Sequence, residues 1–474
     1  MAHESTDASP SAPLDRARVK AYWRLIPLLF VSYMIAYVDR SNVAIAKLTM
    51  TRDLPGFDNA VIGFGAGVFF VGYFLLEIPG TLLVEKWSAR KWISRIMISW
   101  GVVAALTAFV GTELGVSRSL VGGLNSTFGW KVGVTEFQFY FIRFLLGLAE
   151  AGFYPGVIVY LTHWFPIRDR ARALAYFFVA TPIAQMISPK ISNLMLQIGT
   201  DEVVNGATLH HPEVLGLDGW QWIYIFWGIP AVALGFMVLF MLPDKPHHAK
   251  WLTPEERAAL EQELEREKQL AGAHKHMTLF KALRHPKVLL LATAYFFCVT
   301  ANYGVEFFLP SILQQWYDLK FDALTWLVIL PPCLALVGQL FIGWSSDKMK
   351  ERRLHTVLPI AIGAVALAIT PFTQGNLLLT IVFFMIAFGG LKAYLPAFWA
   401  LPNLFLTSAG AAGSIGLINS VGNLGGFLGP YVLGKVQSVT GSFVGGVYYL
   451  ACSMLVSATM IFLLGLGRQE TKKD

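Results

Sequence analysis

The sequence predicts an all-α membrane protein of twelve transmembrane helices in two halves of six. Three observations carry this. Hydrophobic residues fill 55% of 474 positions and charged residues only 14%, against roughly 25% charge in soluble domains. The apolar residues gather into runs of about 20, the length that crosses the hydrocarbon core as a helix with every backbone group bonded internally. A single long polar stretch, 244–287, divides those runs six and six.

In order, the runs read as 24–47, 60–85, 93–112, 137–163, 172–198, 221–242, 288–316, 324–344, 355–373, 377–400, 406–434 and 444–467. This sets a tail at 1–23, an N-terminal bundle at 24–243, a linker at 244–287, a C-terminal bundle at 288–467 and a tail at 468–474. The first tail has neither an apolar core nor a small-residue cleavage site, so the first span is expected to act as an uncleaved insertion signal.

The net charge of +7 is dealt out by topology. With the N-terminus inside, 27 of the 37 Lys and Arg fall in the tails and the even-numbered loops. Only Lys47, Arg52, Arg118, Lys131 and Lys320 fall outside. Positive-inside bias therefore places both termini in the cytoplasm. It gives no reason to expect a nucleic-acid partner.

Within the linker, Thr253-Pro-Glu-Glu256 offers a hydroxyl N-cap, proline at the first helical position and a glutamate at N3, predicting a solvated helix that ends near Gly272. The halves echo one another as repeated transporter folds do. Glu85 with Arg90 in loop 2–3 matches Asp347 with Arg352 in loop 8–9 at an offset of 262 residues, and we read all four as gating residues. Pro155 with Pro396 and Pro189 with Pro430 share an offset of 241. The missing 21 residues place an accessory outer loop at 113–135, next to a second polar stretch at 199–219 that carries His210 and His211.

Charges inside the spans are the functional signal, because each costs at least about 2.5 to 3.5 kcal/mol at bilayer depth. Asp39 and Arg40 are adjacent in the first span. Arg143 and Glu150 in the fourth are seven apart, on one helix face about 10 Å apart along the axis, with Gly147 between them for close helix approach. Glu77, near the inner side of the second span, suggests gating. Lys190, Glu306 and Lys392 add further candidates, with Lys392 placed to meet a second substrate carboxylate or to be neutralised by Glu306. Asn419 and Asn423, at i and i+4, can hydrogen-bond a hydroxylated ligand or each other's neighbouring spans.

Cys298, Cys333 and Cys452 lie in apolar runs without metal spacing and read as buried hydrophobes. No metal-ligand cluster, phosphate-binding loop or nucleophile elbow occurs in a context that supports chemistry. An enzyme is not expected, nor a cofactor.

The chain resembles the anion:cation symporter family of the major facilitator superfamily over nearly its whole length. The resemblance rests on six motifs: Tyr37-Val-Asp-Arg-Ser-Asn-Val-Ala-Ile-Ala46; Gly72 to Gly80; Arg143 through Glu150 to Pro155-Gly; Trp164-Phe-Pro-Ile-Arg168-Asp-Arg-Ala-Arg-Ala; Trp251 to Arg257; and Asn-Ser-Val-Gly-Asn-Leu-Gly-Gly from Asn419. It implies two six-helix bundles rocking about a midplane site, in the bacterial inner membrane, as a monomer that imports an organic anion with a proton. Asp39 and Glu150 would be the proton-coupling carboxylates, Arg40 and Arg143 their ion-pair partners and substrate anchors, and Tyr73 a cavity donor. Thr81 and Ser88 replace glycines usual in loop 2–3, and Lys190, Glu306 and Lys392 are atypical. The expected substrate is a sugar acid, a hydroxy-dicarboxylate or an aromatic acid. Sodium-coupled or exchange transport of an anion such as phosphate is the alternative, and a non-transporting nutrient sensor is a third reading.

Overall fold

A computed structural model of the chain describes residues 12–86, 88–112, 115–129, 131–204, 207–271, 285–404 and 408–464. In the first half the helices are α1 (Ala12–Ser41), α2 (Val43–Asp53), α3 (Asn59–Lys86), α4 (Ala89–Leu106), α5 (Gly115–Phe128), α6 (Val134–Glu150), α7 (Phe153–Thr162), α8 (Ile167–Phe178), α9 (Ala180–Leu196) and α10 (Gly219–Met241). After α11 (Pro254–Ala271), the second half comprises α12 (Pro286–Tyr317), α13 (Phe321–Met349), α14 (Arg353–Ile369), α15 (Leu377–Ala393), α16 (Leu395–Ala400), α17 (Ser408–Asn423), α18 (Gly425–Thr440) and α19 (Val444–Leu463).

Among the described residues, ten of the twelve spans are helical stretches long and apolar enough to cross a bilayer. The fifth and eleventh are each cut, at Val179 and Leu424, into α8–α9 and α17–α18. Spans four and ten are interrupted as well, in each case within two residues of an intramembrane charge, whereas span one passes through Asn42 in helical geometry. The physical causes differ. In the fourth span Gly152 takes a φ of +85°, a left-handed conformation that glycine adopts without strain, and Pro155 has no N–H to return to Ala151. In the tenth, Pro396 likewise cannot bond the Lys392 carbonyl.

Two expectations for the loops on the side opposite the termini need correction. The accessory segment is largely helical, as α5, rather than a loop. The 199–219 stretch contains a two-stranded antiparallel hairpin, β1 (Asp201–Val204) with β2 (Ala207–His210), in which Asp201 pairs with His210. Of the cysteines, Cys298 is buried as expected, whereas Cys452 is exposed on the flank of the bundle.

Within the first half α4 packs on α10 and α6, α3 on α6, and α1 on α9 and α10; within the second, α13 and α14 pack on α15, and α12 on α18 and α19. Both bundles turn apolar side chains such as Val102, Phe240, Leu340 and Phe372 outward, which places them against lipid. The halves meet through α3 with α18, α9 with α13 and α2 with α12.

That seam is tightest toward the face opposite the termini. A Cβ on Gly63 would lie 2.3 Å from the Pro430 carbonyl oxygen, and one on Gly434 2.1 Å from that of Asn59, so only glycine fits. Asn59 Nδ2 donates to Gln437 Oε1 at 2.8 Å, Ala60 N to Ser438 Oγ at 3.0 Å, and Lys190 pairs with Asp322. This face is closed.

The linker helix α11 is not the freely solvated element expected. Its capping box forms, with Glu256 N donating to Thr253 Oγ at 3.3 Å and Thr253 N to Glu256 Oε2 at 3.0 Å. Glu256 is nevertheless buried, because it also accepts from Lys20 Nζ at 2.8 and 2.9 Å, with Arg16 3.5 Å away. Trp164 and Trp251 stack with ring centroids 5.4 Å apart, and Arg170 reaches Glu267 at 3.4 Å. The linker is clamped to the first bundle. Glu256→Gln is expected to remove about 1 kcal/mol of this docking, read as faster amide exchange confined to 254–271 and the start of α1. The Lys20 hydrogen bond and the Thr253 N–H hold the Glu256 carboxyl below its usual value of 4.5. Its contribution is therefore complete above about pH 4.5 and is lost as pH falls through the depressed value.

Candidate functional site

The site begins with a helical constraint. Asp39 and Arg40 are consecutive, so their side chains leave α1 about 100° apart and cannot face each other. Asp39 turns toward α4, where its carboxylate accepts from Trp100 Nε1 at 2.7 Å and from Asn42 Nδ2 at 3.3 Å. Arg40 turns toward the seam. It pairs with Glu150 at the end of α6 and donates to Tyr303 OH of α12 at 3.1 Å. Asp39, Glu150 and Arg143 are all 2% exposed or less.

Arg143 departs from its expected role as partner of a carboxylate. Its Nε donates to the Gly65 carbonyl at 3.4 Å, and its guanidinium lies 5.2 Å from the Phe69 ring centroid. Both terminal nitrogens are buried without a hydrogen-bond partner among the described residues, as is Glu150 Oε2. Gly147 explains how the side chain reaches this depth. A Cβ there would lie 1.9 Å from the Phe69 carbonyl oxygen, so α6 sits directly on α3 and Arg143 has no route outward. Tyr73, expected to donate a hydrogen bond, instead offers its ring face to Arg40 at 5.3 Å. Such desolvated cation–π contacts contribute about 2 kcal/mol.

A second group lies one turn back along α1, since Tyr37 and Arg40 are at i and i+3. Tyr37 OH donates to Glu306 Oε2 at 2.8 Å and accepts from Gln185 Nε2 at 3.1 Å. Lys392 Nζ lies 3.3 Å from Tyr37 OH and 3.5 Å from Glu306 Oε2, and Asn302 Nδ2 lies 3.4 Å from the same oxygen. Three spans from both bundles thus meet at one carboxylate, and Gln185 of a fourth joins them through Tyr37. Glu306 Oε1 has no hydrogen-bond partner among the described residues; beside it a pocket is lined by Ser41, Gln185, Ser188, Glu306 and Phe388.

Other candidates lie elsewhere. Lys190 is not in this site. It follows Gln185 by five residues, which turns it about 140° away, and it pairs with Asp322 while stacking over Trp326 at 4.4 Å. Glu77 accepts from Asn419 Nδ2 at 2.7 Å and Ser420 Oγ at 3.0 Å, with Asn423 in reach. The two asparagines expected at the substrate therefore hold a carboxylate across the seam. In loop 2–3, Asp244 accepts from Ser88 Oγ and Arg90 N and lies 3.6 Å from Arg90 Nε; the Glu85 side chain lies outside the described residues. Asp347 and Arg352 pair at 2.5 Å.

Trp100, Tyr303, Gln185 and Asn302 were missed by sequence reasoning, and Tyr37 was noticed only within a motif. Gln185 could have been found as a lone amide in an apolar run, but Trp100 and Tyr303 look like ordinary span residues until their hydrogen bonds are seen. Among the described residues no group of three or more His, Cys, Asp or Glu could hold a metal ion. The His210 side chain lies outside them.

Two packed helical bundles, lipid-facing flanks and charges buried at the seam between them are the architecture of a membrane transporter. The chain's residues 29–430 match the Major Facilitator Superfamily. It is 37% identical over 447 residues to an Agrobacterium vitis protein provisionally named tartrate transporter, covering 94% of this chain and 90% of that one. It is 35% identical over 452 residues to a quinolone resistance transporter of Acinetobacter baumannii, covering 95% of both. Among solved structures, the xylose transporter XylE of E. coli in a partially occluded inward-open conformation superimposes with a TM-score of 0.69 at 12% identity, over 94% of this chain and 98% of that one. The chain belongs to the Major Facilitator Superfamily and is a transporter, not an enzyme.

Proposed function

We propose that this protein imports an organic carboxylate by proton symport and alternating access, as a monomer in the bacterial inner membrane with both termini cytoplasmic. The observation that carries this reading is Arg143. A buried guanidinium whose two terminal nitrogens have no hydrogen-bond partner among the described residues is a fork that matches a carboxylate, and it lies beside the Arg40–Glu150 pair. A substrate anion arriving there competes for the guanidinium groups. Glu150, deprived of Arg40 in a dry cavity, then binds a proton, because desolvation favours the neutral acid once the compensating cation is withdrawn. Asp39, held by Trp100 and Asn42 rather than by an arginine, is the second carboxylate available for protonation. No cofactor is needed beyond the proton.

Lys392, paired with Glu306, can exchange that carboxylate for a second carboxylate of the substrate, and Tyr37 and Gln185 beside it can exchange their mutual hydrogen bond for substrate hydroxyl groups. A hydroxy-dicarboxylate fits this arrangement, and the name of the A. vitis relative makes tartrate the first acid to test. Closure of the face opposite the termini corresponds to an inward-facing state on this reading.

Thermal stabilisation of the purified protein across sugar acids, tartrate-like diacids and aromatic carboxylates tests the substrate class. Stabilisation by one acid class is expected, followed by uptake of that acid into proteoliposomes under an inward proton gradient. Stabilisation by a neutral sugar and by none of the acids would contradict an anion carrier; sodium-dependent uptake without pH dependence would contradict proton coupling.

A further inference from the structure

Lys47 was expected in water at the outer end of the first span, yet it is 1% exposed. Its ammonium lies 3.3 Å from the centroid of the Phe308 ring of α12, and Nζ has no hydrogen-bond partner among the described residues. Phe308 belongs to the other bundle. It packs on Phe443, and its ring tip also lies 3.2 Å from where a Cβ on Gly434 would be, the glycine that seats Asn59 at the seam. The ammonium is thus shielded by the closed outer contact itself.

Its register along the span is the second observation. Asn42 continues the helical path between α1 and α2, with φ −52° and ψ −34°, and Ala46 N bonds its carbonyl at 2.9 Å. Lys47 therefore follows Arg40 by seven residues, two turns outward on the same face and about 10 Å away. Ala44 and Ile45, one turn or less inward of Lys47, line the pocket that also holds Gln185 and Glu306.

We propose that Lys47 is an outer recruiting site for the substrate's carboxylate, shielded by Phe308 while the outer face is closed and presented to the external solution when the bundles separate there. An ammonium exposed at the mouth of a low-dielectric cleft raises the local concentration of anions, and Arg40, two turns below, takes over the bound group. Closure would return the ammonium to the aromatic ring, so the anion is not retained at the mouth. This rests on the anion-transport reading above and adds a step to it.

Two measurements test it. In right-side-out proteoliposomes, with the acid found to be transported by the unmodified protein, Lys47→Met is expected to raise the external half-saturation constant about tenfold. Lys47→Arg stays near the parent value, and the internal constant measured by efflux is unchanged. Equal effects on both faces, or none with Lys47→Met, would overturn the recruiting role. Independently of any substrate, Gly63→Trp wedges the outer seam apart, since even a Cβ there meets the Pro430 carbonyl. A membrane-impermeant amine-reactive ester applied outside, with peptide mass spectrometry, is expected to modify Lys47 several-fold more in that variant than in the parent. Lys47 equally unreactive in both would overturn the shielding by Phe308. If no acid is transported at all, the anion reading fails while the labelling result still stands for Lys47.

Discussion

Glu150→Gln is expected to abolish accumulation of substrate against its gradient while leaving exchange of substrate across the membrane partly intact. Glutamine preserves the shape and can still accept from Arg40, but it can neither carry the negative charge nor take up a proton. Arg40 is then bound to a neutral amide in a cavity where an uncompensated cation is costly, so it remains committed to the anionic substrate. Net uptake, which requires the empty carrier to return, is expected to fall by at least about 100-fold, the scale of losing an essential proton-transfer group. Exchange, which never needs the empty state to return, stays within about tenfold of the parent. Asp39→Asn is expected to act in the same direction and more weakly, because Asp39 has Trp100 and Asn42 as partners instead of an arginine. Equal loss of exchange and net uptake in a folded Glu150→Gln protein would remove the proton role.

The second large effect belongs to Arg143. Its two terminal nitrogens have no hydrogen-bond partner among the described residues, and charge-assisted hydrogen bonds contribute about 1.5 to 3 kcal/mol each. Losing both to a substrate carboxylate in Arg143→Met therefore weakens binding by about 100-fold or more, since every 1.4 kcal/mol is a factor of ten. Arg143→Lys keeps the charge but loses the fork, and falls between the two. Arg143→Met should fold, because among the described residues the parent side chain forms no ion pair that methionine would break, and the stem packs beside Phe69. Titration of the acid by calorimetry reads the affinities directly; unchanged affinity in Arg143→Met would exclude it as an anchor.

These effects trace back to a site that was partly legible in the chain. Asp39, Arg40, Arg143 and Glu150 stood out because a charge in a run of apolar residues has no local explanation, and Gly147 told in advance that the fourth span lies tight against a neighbour. Twelve spans followed from run length alone. What was not legible is who faces whom. The sequence puts Asp39 beside Arg40, yet the 100° turn per residue sends one to Trp100 and the other to Glu150. Lys190 and Lys392 look alike as intramembrane lysines, but rotation about their helices places one at the closed outer seam and the other at Tyr37 and Glu306. Asn419 and Asn423 carried the right chemistry for a ligand and spend it on Glu77. Lys47 gave no signal at all, because its burial depends on Phe308, which is 261 positions away in the other bundle.

The same distinction explains the linker. Its capping box could be read from Thr253 and Glu256, since both partners lie within one turn. Its docking depends on Lys20 and Trp164, which are brought close only by the folding of the first bundle.

The central claim is that substrate and proton move together through the Arg40–Glu150 pair. It is tested most directly by following internal pH with a trapped dye in proteoliposomes held at pH 7 without sodium, while the transported acid is added outside in its fully ionised form. A proton symporter acidifies the interior on addition of substrate, with the signal absent in Glu150→Gln although that variant still exchanges labelled acid. Uptake of the acid with no internal acidification, or acidification of equal size in Glu150→Gln, would contradict it.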